Sequence, residues 1–211
     1  MVLLRRVRRD RYAMVIAAIL LATSPPPAIA QQAAAPAAAP STSVFDIAQT
    51  GVEFQTGDTW SQNGQTFRLY GVQACIRGTQ FTNPAGVKID CGEASAAYFA
   101  ALIRDTKPRC SAVTQAGTPP VMFTVCAAHV GQNTLDLGTI LISQGFAFAA
   151  VSPTGKPFQF TYSVVEGEAQ KVGRGLWAAK DLPHPTKVLA DALTVRIHER
   201  EFEAGRRSLR R

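Results

Sequence analysis

The stretch TGDTWSQNGQTFRLYGVQACIRG, residues 56–78, decides the fold of the chain. Asn63 and Gly64 separate two runs of β-forming residues, and both accept the positive φ angles of a type I′ hairpin turn. The run TFRLYGV then alternates in part between its two sides. We therefore predict a hairpin with one face in the core. Its other face, which carries Arg68, is expected to line a cleft.

Helical spacing of apolar residues appears after this hairpin. It begins at Gly92, where Glu93 in the first turn favours a helix, and recurs in residues 135–144 and around 161–173. Asn133 or Thr134 could cap the second of these helices, and Gly145 ends it. Two more strands are predicted near 107–114 and 120–128. An α+β fold follows, with four or five short strands, a helix inserted after the third strand, and two further helices.

The termini have a different composition. Residues 1–30 combine five arginines, a ten-residue apolar run and a small-residue site ending at Ala30, which is typical of a cleaved secretory signal. An uncleaved anchor is the alternative, but ten helical residues span only about 15 Å of a bilayer core of about 30 Å. An Ala/Pro-rich linker (31–43), a domain (44–180) and a basic amphipathic helical tail (181–211) follow. We expect a periplasmic or secreted protein with no stable membrane span after cleavage.

Charge makes no strong case for nucleic acid. The net charge of +7 comes from 22 basic and 15 acidic residues. Without residues 1–30 the chain keeps 17 basic and 14 acidic residues, and the tail carries seven and five of these. The domain itself is therefore close to neutral, although a basic chain would otherwise suggest a polyanionic partner.

Four cysteines remain, and their number is even. In an exported chain an even number favours disulfide bonds over a metal site. The sequence contains no Cys-x-x-Cys pair, and its three histidines have no partner at ligand spacing. Zinc is therefore not expected.

Five segments in order resemble the staphylococcal-nuclease-like (thermonuclease) domain: GDT, FRLYGV, CGEASAAYFAALI, CAAHVGQNTLDLGTILISQGFA and EAQKVGRGLW. The resemblance covers residues 51–178. No single motif is specific, but their order, their spacing and the closing GLW together are. The resemblance implies an OB-type five-stranded barrel with three helices. It also implies cleavage of DNA and RNA phosphodiesters, commonly with calcium.

The resemblance also locates the family's site in this chain. Asp58 and Thr59 match residues that supply a calcium carboxylate and a calcium-binding carbonyl, and Arg68 matches a phosphate-binding arginine. Gln73 stands where the family has a second calcium carboxylate. Ile76 stands where it has the glutamate that orients or deprotonates the attacking water.

These differences predict a site that lacks residues needed for catalysis. Calcium takes six to eight oxygen ligands, so one remaining carboxylate is a weak site. Ile76 cannot accept a proton, which removes general-base assistance worth about 10²- to 10⁴-fold. The family carries a second arginine just before the last strand, where this chain reads GTPPVMF. That arginine is absent here, because no arginine occurs between Arg109 and Lys156. We therefore expect no enzymatic activity and no cofactor.

The leading hypothesis is a non-catalytic binding or accessory protein of the cell envelope, with an envelope protein or a glycan as its partner. Some members of the family are encoded beside genes for exopolysaccharide production, so the resemblance also implies an accessory factor in that process. A divergent calcium-dependent nuclease is the third hypothesis. Calcium would be a cofactor only in that case.

Two of the matched residues keep alternative interpretations. Asp58 is either a remaining metal ligand or a cap of the turn that follows Gly57. Arg68 either binds an anion or packs its stem beside Tyr70 and pairs its guanidinium with Asp58.

The cysteines are assigned to pairs by their place in the predicted elements. Cys110 and Cys126 fall on successive strands joined by a short turn. Cys75 ends a strand and Cys91 immediately precedes the first helix. Secreted relatives often carry cysteines around these points. We predict the bonds Cys75–Cys91 and Cys110–Cys126.

Overall fold

Eleven strands and four α-helices follow one another in residues 44–208, the part of the chain that the computed structural model describes. The predicted signal (1–30) and linker (31–43) lie outside the described residues. The strands are β1 (Val44–Asp46), β2 (Glu53–Phe54), β3 (Thr59–Gln62), β4 (Gln65–Leu69), β5 (Val72–Ala74), β6 (Gln80–Thr82), β7 (Lys88–Asp90), β8 (Arg109–Ala116), β9 (Val121–Val130), β10 (Asn133–Asp136) and β11 (Ala147–Ala149). The helices are α1 (Cys91–Thr106), α2 (Leu137–Ser143), α3 (Phe160–Lys171) and α4 (Pro185–Ser208), with a short 3-10 helix at Gly175–Ala178.

The architecture is mixed α+β, with a sheet that curls into a half-barrel. Its strand order is β1-β8-β9-β4-β3-β2, and β10 also pairs with β9. Strands β4 and β9 run parallel, while the other pairs of this sheet are antiparallel. Two small antiparallel pairs, β5 with β11 and β6 with β7, complete the strands.

The predicted hairpin joins β3 to β4. Asn63 and Gly64 have φ angles of 51° and 74°, as a type I′ turn requires, so this prediction is confirmed. The turn also sets the register, which places Thr59 opposite Arg68. This register brings the beginning of β3 beside the end of β4, where the candidate site lies.

Two apolar clusters form the core. The larger cluster packs the sheet against α1 and α2 and includes Trp60, Phe99 and Leu141, all fully buried. The smaller cluster lies around Phe148, with Trp177 packed against it. Trp177, the last residue of the GLW segment, thus contributes to the core.

Helix α1 begins with a cap that the sequence analysis did not identify. One carboxylate oxygen of Asp90 accepts hydrogen bonds from the backbone N–H groups of Gly92 (2.8 Å) and Glu93 (3.1 Å), and the other accepts from Gly78 (2.6 Å). Glu93 lies in the first turn, as predicted. Burial opposes ionisation, but these three N–H groups hold the pKa of Asp90 below its ordinary value.

The predicted cap of α2 is wrong. Asn133 and Thr134 belong to β10, where they pair with β9, and the helix starts later. Asp136 is the N-cap, and its Oδ2 accepts from the Thr139 N–H at 2.7 Å. Residues 133–136 pair with β9, so the helix can begin only after this strand ends. The side chain of the last strand residue, Asp136, therefore provides the cap. The Tyr162 hydroxyl of α3 donates to the same oxygen.

The helix predicted in the tail is α4. From Asp191 onward every described side chain of α4 is exposed, including those of Leu193, Val195 and Phe202. In residues 44–208, none of the helices combines the length and the apolar character that crossing a bilayer would need.

The structure joins Cys75 to Cys91 and Cys110 to Cys126, the pairs that the sequence predicts. All four cysteines are buried. Cys110 and Cys126 also face each other in the β8–β9 register. Two disulfide bonds fit an exported protein, because such bonds persist in oxidising compartments.

Removing the Cys110–Cys126 bond should destabilise the domain. The bond closes a loop with a sequence separation of 16, for which the entropy model gives about 3 kcal/mol. We expect the Cys110→Ala/Cys126→Ala variant to melt several degrees below the parent in scanning calorimetry. An unchanged melting temperature would show that the bond contributes nothing to stability.

Asp90 should make stability depend on acid pH. Its folded-state pKa lies below the unfolded-state value, so the ionised carboxylate stabilises the fold above about pH 4. This contribution is lost as the pH falls through the folded-state value. In urea unfolding, Asp90→Asn should be less stable than the parent at neutral pH, and the difference should shrink near pH 3. Asp105→Asn, at the exposed other end of α1, is the control. Equal losses for Asp90→Asn at both pH values would contradict the assignment.

Candidate functional site

Asp58 lies directly before β3 and is only 2% exposed, which is unusual for a carboxylate. The preceding Gly57 lets helix α1 approach closely, because a Cβ atom at this position would overlap the side chain of Ser95. Ser95 is itself held by a hydrogen bond to the carbonyl of Phe146. Asp58 is therefore fixed between the sheet and α1.

Both oxygens of the Asp58 carboxylate are occupied by protein donors. Oδ1 accepts from the hydroxyls of Thr56 and Thr59. Oδ2 accepts from Nε of Arg68 at 3.0 Å and from the Ala74 N–H at 3.1 Å. Nη2 of Arg68 lies 2.9 Å from the same oxygen and completes the ion pair. A carboxylate offers about four acceptor sites, so this one is saturated.

Arg68 is fixed from two sides. Besides its contacts with Asp58, its Nη2 donates to Oε1 of Gln73 at 3.0 Å. The Gln73 amide in turn donates to the carbonyl of Ala74 at 2.8 Å. The structure thus pairs the guanidinium of Arg68 with Asp58, one of the two interpretations that the sequence left open. Asp58 does more than cap the turn after Gly57. It accepts hydrogen bonds from two side-chain hydroxyls and from a backbone N–H that is distant in sequence.

The carbonyl of Thr59 is also occupied. It accepts hydrogen bonds from the backbone N–H groups of Gln55 at 3.0 Å and Thr56 at 3.2 Å. These two bonds close the turn that leads into β3. They use both lone pairs of the carbonyl oxygen.

The residues present do not fit calcium. Every oxygen at the matched positions (the carboxylate of Asp58, the carbonyl of Thr59 and the amide oxygen of Gln73) already accepts from a protein donor. Calcium needs six to eight oxygen ligands, so it would have to displace these donors and separate Asp58 from Arg68. Within residues 44–208 there is no cluster of three or more His, Cys, Asp or Glu side chains that could hold a metal.

Ile76 lines a cleft of about 320 Å³. The wall of this cleft also includes Asp58, Arg68, Gln73 and Leu189 of α4. An aliphatic side chain in this cleft can exclude water but cannot move a proton. Strand β9 follows residues 117–120 (GTPP), and its Phe123 is the register partner of Arg68. An aromatic residue rather than a second cation therefore lies beside Arg68.

A second pocket of about 370 Å³ adjoins this cleft, and Arg68 and Gln73 line both cavities. Its wall is mainly apolar and contains Tyr70, Phe123 and Phe158. The side chain of Arg68 is one-third exposed.

The sequence indicates Asp58, Thr59 and Arg68, and the pairing of Arg68 with Asp58 as one alternative, but not the other donors that occupy Asp58. Thr56 and the Ala74 N–H were not considered, and Gln73 was treated only as a lost ligand. The pattern Thr-x-Asp-Thr offered a signal, since hydroxyls on both sides of an aspartate are natural donors to it. The Ala74 contact joins segments 16 residues apart, and no local pattern could have shown it.

No protein-family model matches the chain, and no curated protein is significantly similar to it.

Replacing Asp58 by asparagine should destabilise the domain by about 3 kcal/mol, because it leaves Arg68 without its counter-ion and sets an amide against buried donors. Urea unfolding measures this loss. Glu93→Gln is the matched control, since Glu93 pairs with Arg77 at an exposed site where such pairs contribute about 0–1 kcal/mol. Equal stability of the two variants would contradict a structural role for Asp58.

Proposed function

We propose that this chain is an exported, catalytically inactive member of the staphylococcal-nuclease-like family that acts as a binding or accessory module of the cell envelope. The observation that carries this proposal is the saturated carboxylate of Asp58. In a calcium-dependent nuclease a carboxylate at this position would be needed for the metal. Here it neutralises Arg68 and joins β3, β4 and β5.

The chemistry of the cleft supports inactivity. Phosphodiester cleavage requires an activated water and cations that stabilise charge on the phosphorus. Ile76 provides no base, and the charge of Arg68 is already balanced by Asp58. Losses that act on one transition state do not simply multiply, but each alone would slow the reaction severely.

The proposed OB-type five-stranded barrel is compatible with the pairing of the strands. Helix α1 precedes β8 and β9, and α2 and α3 follow β9. One helix among the strands and two later helices agree with the order that the sequence pattern predicts, although α1 follows seven short strands rather than three. The parallel pair β4–β9 and the pair β5–β11 join the first part of the domain to the last. These long-range pairings are those that a small barrel uses to curl its sheet.

Export is proposed from the two disulfide bonds together with the predicted signal. The bonds tie β5 to the beginning of α1 and β8 to β9. Intracellular proteins rarely keep such bonds, whereas exported domains depend on them.

The purified domain should not cleave DNA or RNA. We expect denatured DNA and single-stranded RNA incubated with calcium to remain intact, as they do without protein. Any digestion in the sample would be compared with an Arg68→Lys variant purified in parallel, which keeps the charge but loses the two-point contact with Asp58. Calcium-dependent digestion by the parent that the variant lacks would overturn the proposal.

Restoring two carboxylates should restore calcium binding before it restores catalysis. In Gln73→Asp/Ile76→Glu, the new Asp competes for Nη2 of Arg68, which releases an oxygen of Asp58 for a metal. Calorimetry should detect calcium binding to this variant but not to the parent. The uncharged variant Gln73→Asn/Ile76→Gln is the matched control. Nuclease activity should stay absent, because Phe123 rather than a cation faces Arg68. Calcium binding by the parent as tight as by the variant would contradict this account.

A further inference from the structure

The pocket of about 370 Å³ beside Arg68 has the properties of a small-molecule site. Its volume falls within the range of ligand pockets, roughly 300–1,000 Å³. Phe123, Val151 and Phe158 supply an apolar wall, and Tyr70 packs edge-on against Phe158 with ring centroids 6.1 Å apart. Mainly apolar walls with a few polar groups are typical of pockets that bind ring compounds.

Arg68, which lines the pocket, has one nitrogen without a hydrogen-bond partner in the described part of the chain. Asp58 and Gln73 occupy Nε and Nη2 of Arg68, and within residues 44–208 no hydrogen bond engages its Nη1. Because the other two nitrogens are fixed, little conformational freedom would be lost when Nη1 donates to a ligand. Thr114 also lines the pocket and carries a hydroxyl group.

The charge of the pocket is balanced before a ligand arrives. Arg68 is the one charged side chain in its wall, and its counter-ion Asp58 lies 2.9 Å away. A phosphate or carboxylate would find no unpaired cation there, and it would also be repelled by Asp58. Charge complementarity therefore favours an uncharged ligand.

The aromatic side of the pocket is open to solvent. Phe158 is 51% exposed although it is a large apolar residue. Flat apolar rings at an accessible wall can stack on an aromatic ring or on the C–H face of a sugar ring. Phe158 and Arg68 line the same pocket, so one ligand can contact both side chains.

We propose that this pocket binds an uncharged ring compound, with its apolar face against Phe158 and Tyr70 and an acceptor oxygen on Nη1 of Arg68. The inference rests on the proposed binding role and gives it a ligand class. Two kinds of ligand share the required chemistry, which is a flat apolar face with a neutral oxygen acceptor. An aromatic ring and a pyranose ring both provide it.

The probe is 4-nitrophenyl β-glucoside, which is uncharged and carries both kinds of ring. Titration into ¹⁵N-labelled protein should shift the backbone amides of Gly71, Ala150 and Val151, which line the pocket. 4-Nitroanisole and methyl β-glucoside, titrated separately, distinguish the aromatic from the sugar ring as the part that is recognised. Adenosine monophosphate tests the charge argument and should bind at least about tenfold more weakly than the probe.

Two phenylalanines provide a matched pair of variants. Phe158→Ala should lower the affinity for the probe at least about tenfold, because a stacking wall is lost. Phe160→Ala, two residues away and 76% exposed, does not line the pocket and should change the affinity less than about twofold. Both side chains are largely exposed, so both variants should fold. Thr114→Trp, which puts a bulky side chain in the wall of the pocket, should abolish the shifts.

Absence of shifts at these amides would overturn the inference, as would tighter binding of adenosine monophosphate or equal losses in the two phenylalanine variants. These outcomes are separate from those of the proposed function. Calcium-dependent cleavage would refute inactivity without affecting the pocket titration. A negative titration would refute the ligand class while the domain remained inactive.

Discussion

A carboxylate that is withdrawn from water must be neutralised and fully hydrogen-bonded, and in this domain that requirement is concentrated on Asp58. Its donors come from the turn before β3, from Arg68 on β4 and from Ala74 on β5. One side chain therefore holds three segments in the register that also forms the walls of two cavities. The Cys75–Cys91 bond fixes the end of β5 immediately beside the Ala74 donor.

The same constraint explains why the cleft is poorly suited to metal chemistry. A metal ion competes for the oxygens that the fold itself uses, so binding would cost the internal ion pair and several hydrogen bonds. Gln73 is suited to this arrangement, because a neutral acceptor can hold Arg68 without competing with Asp58. Gln73 is thus compatible with a stable, neutral pair of Asp58 and Arg68.

Local chemistry made much of the fold predictable. The turn residues Asn63 and Gly64 gave the hairpin, helical spacing gave α1 to α3, and chain position gave both disulfide pairs. Long-range pairing limited the rest. The start of α2 moved to Asp136 because β10 pairs with β9, and the β6–β7 hairpin was not predicted because its strands are only three residues long. The pairing of Asp58 with Arg68 stayed open until the register of β3 and β4 was known.

The central claim is that the carboxylate of Asp58 serves the fold and has no capacity left for a metal. The most direct test follows the ¹³C resonance of its carboxyl carbon by NMR while calcium is added to the native protein. The resonance should keep its position and width throughout, because its four hydrogen-bond donors and the ion pair with Arg68 remain in place. A shift of this resonance that saturates with calcium would show that the metal binds Asp58, and would contradict the account.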